Sequence, residues 1–138
     1  MNIFDKFLDK TKPLILINQK KLGIEKINEF KGITVESPPS EFNFDLSLNI
    51  SMVLAKINKQ NPKEEAEKIK NLLTENLEDI STIEIAGPGF LNIKLTDASI
   101  KGFINGILTN KKTYGSTPSN KKYNIEFVSA NPTGPMHV

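Results

Sequence analysis

Apolar residues recur at helical spacing from the first turn of the chain. Ile3, Phe4, Phe7 and Leu8 are followed by Leu14, Ile15, Ile17 and Leu22, which predicts an amphipathic helical start over residues 2–22. Pro13 has no amide hydrogen to donate, so a kink or division is expected there. Over 31–45 the pattern changes to Ile33-Thr34-Val35 and then Ser37-Pro38-Pro39-Ser40, a short strand running into a proline-set loop. Two helices are expected next. Leu46, Ile50, Val53, Leu54 and Ile57 form the apolar face of the first. Asn61-Pro62 opens the second, with Asn61 as cap, Glu64 placed for a variant capping box, and Ala66, Ile69, Leu72 and Leu73 as its buried stripe.

The period then switches from helical to alternating. Ile83 and Ile85 alternate with polar residues, Gly87-Pro88-Gly89 interrupts, and Leu91, Ile93 and Leu95 alternate again, the pattern of strand, tight connection and strand. Asp97 is placed to cap a helix carrying Ile100, Phe103, Ile104, Ile107 and Leu108, which Asn110-Lys111-Lys112 ends. Residues 1–113 thus read as an α+β domain in which a small antiparallel sheet packs with helices. Residues 114–122 are turn formers and small polar residues without apolar periodicity, as expected of a linker. Tyr123 to Ser129 is a new strand candidate, followed by Ala130-Asn131-Pro132-Thr133-Gly134-Pro135 and Met136-His137-Val138. A strand ending in such a turn has the form of a nucleotide-binding strand-to-helix junction, where free backbone N–H groups meet phosphate. A lone strand cannot build that site. Residues 123–138 are therefore expected to be the first strand and turn of a truncated Rossmann-type domain.

Composition narrows the chemistry. With 138 residues and 38% hydrophobic content the chain can build one core. It contains no Cys, which excludes disulfides and thiolate metal sites and suits a reducing cytoplasm; no metal-ligating set is expected. The start, Met1-Asn2-Ile3-Phe4-Asp5, lacks a basic segment leading into an apolar stretch, and no run approaches the roughly 20 apolar residues of a membrane span. A net charge of +2 is too mild to argue for nucleic acid by itself.

Two strings carry a resemblance. Asn124-Ile125-Glu126-Phe127-Val128-Ser129-Ala130-Asn131-Pro132-Thr133-Gly134-Pro135-Met136-His137-Val138 resembles the first strand and signature turn of bacterial arginyl-tRNA synthetases. Class I synthetases continue that turn as His-x-Gly-His, of which this chain carries the first His and its neighbour. Upstream, Ile83-Glu84-Ile85-Ala86-Gly87-Pro88-Gly89-Phe90-Leu91-Asn92-Ile93 is similar to the hairpin of the family's amino-terminal domain, and the segments around Asn49, Leu54-Ala55-Lys56 and Asn61-Pro62 also fit. Taken singly, Pro132-Thr133-Gly134-Pro135 is an ordinary turn, His137 a surface His and Phe90 a core residue by default. Two strings in family order, about 40 residues apart, make coincidence a poor account. One departure stands out: where the family has Phe-Gly-Asp, this chain has Asn43-Phe44-Asp45, so that loop must manage without glycine.

The resemblance implies an amino-terminal fragment of a cytoplasmic, monomeric ligase that activates arginine with ATP, accompanied by Mg2+, and transfers it to tRNA(Arg). It gives His137 a catalytic role beside the ATP phosphates, where charge builds in the transition state. Glu126, Ser129 and Asn131 match positions lining the arginine pocket, and their acceptors and hydroxyl suit a cationic amino acid. The fragment alone is expected to be inactive and to hold no bound cofactor. For the amino-terminal domain the implied task is binding the tRNA D loop at the outer corner, with Phe90 and Asn92 on one base. Residues i and i+2 of a strand share a face, so a ring can stack while its neighbour reads the base edge. Lys56, Lys59, Lys94, Lys111 and Lys112 are candidates for phosphate contacts. Two alternatives remain open: a freestanding RNA-binding or scaffold module, and a glutamyl-type synthetase, whose similar signature lies close to the chain start rather than more than 120 residues along it.

Overall fold

The computed structural model describes residues 2–116 and 120–126. Five helices are seen among them: α1 (Ile3–Ile17), α2 (Gln19–Leu22), α3 (Ile50–Asn58), α4 (Pro62–Asn76) and α5 (Asp97–Asn110). The strands are β1 (Val35–Glu36), β2 (Leu46–Leu48), β3 (Ile80–Ala86) and β4 (Phe90–Leu95). They form one four-stranded sheet in the order β1-β2-β4-β3, antiparallel throughout. This is the α+β arrangement that the alternation and helical periods predict.

Helix starts follow side-chain chemistry. The Asn2 side chain accepts the Asp5 amide hydrogen at 2.8 Å, and Asn61 accepts that of Lys63 at 2.9 Å, each satisfying a donor that the first helical turn leaves free. The cap of α5 is Thr96, not Asp97: its hydroxyl accepts the Ser99 amide hydrogen at 3.2 Å, and Asp97 is the first helical residue. Pro13 does not divide α1, which continues to Ile17. The carbonyl deprived of its donor belongs to Asp9, and both Asp9 and Pro13 are exposed, so water can take the missing bond.

The sequence reading put Leu46 on a helix; it belongs to β2 instead. Leu46 pairs with Ile93 and Leu48 with Leu91, which makes β2 a central strand. Three residues are too few for a period to separate strand from helix. Leu46, Leu48, Ile83, Leu91, Ile93 and Leu95 join Ile50 and Leu54 of α3, Ile69, Leu72 and Leu73 of α4, and Phe7 and Ile15 of α1 in one buried cluster. One face of the sheet is therefore committed to the helices. By the two-residue period of a strand, Phe90, Asn92 and Lys94 of β4, Ser47 of β2 and Glu84 of β3 lie on the other.

Helix α5 has no fully buried residue, and its Ile104 and Leu108 are 47% and 58% exposed. Asp79 tethers its first turn, accepting from Ser99 Oγ at 2.9 Å while pairing with Lys10 of α1. After a short 3-10 turn at Lys111–Thr113, Tyr114 sets its ring edge-on to Phe103 at 6.3 Å. Residues 120–126 form no regular element, so the expected strand at Tyr123 to Ser129 is not present over its described part, and the rest lies outside the described residues. A Rossmann strand is held by parallel neighbours on its own sheet, whereas the sheet described here is antiparallel and excludes this segment. No helix among the described residues is long and apolar enough to cross a membrane.

Candidate nucleic-acid interface

The β3–β4 hairpin closes through Gly87-Pro88-Gly89, with Ala86 and Phe90 as the last cross-strand pair. Gly87 and Gly89 take φ of +53° and +136°, a backbone that side chains oppose. Phe90 emerges from this turn away from the core and is 37% exposed, which overturns its default reading as a core residue. Asn92, two residues on, is 6% exposed. Its neighbours across the strands are Ser47 and Glu84.

Phe90 and Asn92 line a cavity of about 410 Å³, within the size range of small-ligand pockets. The loop before β2 contributes Pro38, Pro39 and Phe42 to the same lining. Of the two amides in the lining, Asn49 is spent: it accepts the Thr34 amide hydrogen at 2.8 Å and donates to the Gly32 carbonyl at 3.1 Å. The Asn92 side chain has no hydrogen-bond partner among the described residues. An amide open to the cavity and without a protein partner can serve a ligand offering both donor and acceptor. The one ionisable lining residue is Glu36, and neither Lys nor Arg contributes. That balance favours a neutral planar group over a phosphate.

The loop is held from below. Lys94 Nζ reaches Asn43 Oδ1 and Asp45 Oδ1, each at 3.2 Å, while Asp45 Oδ2 accepts the Leu95 amide hydrogen at 2.8 Å. The Asp45 amide donates to the Ile93 carbonyl at 2.9 Å. None of Asn43, Phe44 and Asp45 has a positive φ, so the loop needs no glycine where the family's usual tripeptide has one. Among the candidate phosphate ligands, Lys94 is thus occupied inside the domain, whereas Lys56, Lys59, Lys111 and Lys112 are exposed.

The Arginyl tRNA synthetase N terminal domain family matches residues 5–95, which contain the hairpin, the cavity and the loop that walls it. The chain belongs to this family. It is 45% identical over 140 aligned residues to the arginine–tRNA ligase of Pelagibacter ubique, covering 100% of this chain and 24% of that protein. The arginine–tRNA ligases of Bartonella henselae and Staphylococcus carnosus are 41% and 39% identical, again across the whole of this chain. The chain therefore spans about a quarter of the length of these synthetases.

Within the arginyl-tRNA synthetase frame the matched region stops before α5. Glu126 is exposed and lies in no regular element. Ser129, Asn131 and His137 lie outside the described residues, so Phe90 and Asn92 are the sequence-selected residues seen to share a site. The loop 37–44 was missed as part of it. Its signal was Phe42, an aromatic flanked by Glu41 and Asn43 just after the paired prolines.

Proposed function

We propose that this domain binds the D loop of tRNA(Arg) at the outer corner, as the amino-terminal part of an arginine–tRNA ligase. The observation that carries the reading is an exposed Phe90 beside the unpartnered amide of Asn92, on one cavity without a lining cation in a domain of this family. Phe90 stacks on one unstacked base while Asn92 bonds its edge. The whole enzyme, cytoplasmic and monomeric, takes arginine and Mg2+-bound ATP as substrates. His137 acts beside the phosphates, and Glu126, Ser129 and Asn131 hold arginine.

The test is tRNA binding by the full-length ligase. Phe90→Ala is expected to remove about 1–3 kcal/mol of binding, the usual worth of a base–aromatic contact, and Asn92→Ala somewhat less. Thermal melts must accompany the measurement, and Phe90→Ala should leave the melting temperature nearly unchanged. Deleting the D-loop base should abolish the effect of Phe90→Ala. Full additivity with that deletion, or a large fall in melting temperature, would overturn the role.

A further inference from the structure

We infer that Phe42 forms the second wall of the base site, so that the nucleobase is clamped between two rings; this rests on the proposed reading of Phe90 and Asn92. Phe42 and Phe90 line the same cavity from two elements, the loop before β2 and the hairpin. They are 47% and 37% exposed, although rings of this size are ordinarily buried against other side chains. They do not pack on one another: the aromatic pair among the described residues is Phe103 with Tyr114. Two unpaired rings and the amide of Asn92 that line one cavity offer a slot for a third flat group.

The loop is built to hold Phe42 in place. The Phe42 amide donates to the Pro39 carbonyl at 3.0 Å, and the Phe44 amide to the Phe42 carbonyl at 2.8 Å. Pro38 is buried, and two prolines restrict the backbone entering the turn. Lys94 and Asp45 pin the far end to β4, the strand that carries Phe90 and Asn92. Both rings and Asn92 are thereby referenced to one strand, which preorganises the slot and reduces the ordering cost of binding. Phosphate is disfavoured in it, because Glu36 is the ionisable group in the lining.

Binding of full-length ligase variants to tRNA(Arg), and to transcripts made abasic at each single-stranded D-loop position in turn, tests the clamp. Phe42→Ala should weaken binding of the intact transcript roughly 5- to 150-fold, the span of one base–aromatic contact. Phe42→Tyr should restore it, and Phe42→Leu, which keeps apolar bulk in the loop if the alanine variant is unstable, should not. With the one abasic transcript that also silences Phe90→Ala, Phe42→Ala should bind like the unmodified enzyme. Should Phe90→Ala weaken binding while Phe42→Ala and Phe42→Leu leave it unchanged, or should the Phe42 and abasic losses add in full, the clamp is wrong and the D-loop reading stands. If Phe90→Ala is also silent, that reading fails and the clamp with it.

Discussion

Glu65 lies wholly inside the fold on α4, and its Oε1 has no hydrogen-bond partner. Burial raises its carboxyl above the ordinary value of 4.5, opposed by the charge and hydrogen bond of Lys68 at 3.4 Å. An acid whose folded value is raised keeps its proton to higher pH in the folded state. Its contribution is then fullest below the unfolded value and is lost as pH rises through the folded one. Glu65→Gln keeps the shape without the charge, and is expected to raise the melting temperature by a few degrees at neutral pH, the gain shrinking toward about pH 4. Parallel melts across that range check it, and a gain that is constant with pH would show that Glu65 charge is not the cause. Lys68 is half-exposed and loses little, because water solvates it. In sequence, nothing sets Glu65 apart from the other polar residues of the first helical turn. Its neighbours Ala66 and Ile69 were legible as buried, but α4 is covered over a wider arc than its apolar stripe, and only packing reveals that.

The hairpin divides cleanly into what an element needs and what its neighbours impose. A Cβ on Gly89 would stand 3.0 Å from the Pro62 carbonyl oxygen, part of the fixed first turn of α4, whereas one on Gly87 meets nothing within 4 Å. Gly89→Ala is therefore expected to cost on the order of 1–3 kcal/mol and to displace Phe90, its neighbour. Gly87→Asn should be near neutral, because Asn tolerates a left-handed conformation. Denaturant titrations of both variants check the contrast, and equal costs would remove the hairpin's contact with α4 from the account. The strand, turn, strand pattern of this element was legible because its alternation is long. The inequality of its two glycines was not, since it arises from a helix more than 20 residues earlier. The same limit hid β2, whose three residues acquire strand character from pairing with β4.

At the scale of the whole molecule, the chain spans about a quarter of the arginine–tRNA ligases it matches; in the proposed reading it supplies a surface for tRNA and arginine activation falls to the rest of the enzyme. The isolated 138-residue chain is expected to consume no ATP with arginine and tRNA present. In the full-length ligase, His137→Ala should slow arginyl-adenylate formation by roughly 10²-fold or more with little change in arginine affinity, as expected for loss of a transition-state charge stabiliser. ATP–pyrophosphate exchange measures both, and normal exchange in the variant would remove His137 from the mechanism. Hydrophobic period, capping residues and two motif strings were enough to determine an α+β domain, the hairpin and the family, because each is encoded within a few consecutive turns of chain. That Lys94 is tied to Asp45, and that Phe42 and Phe90 line one cavity, were decided by tertiary structure alone. Those relations join residues about 50 positions apart, and local sequence carries no record of what the folded chain brings alongside it.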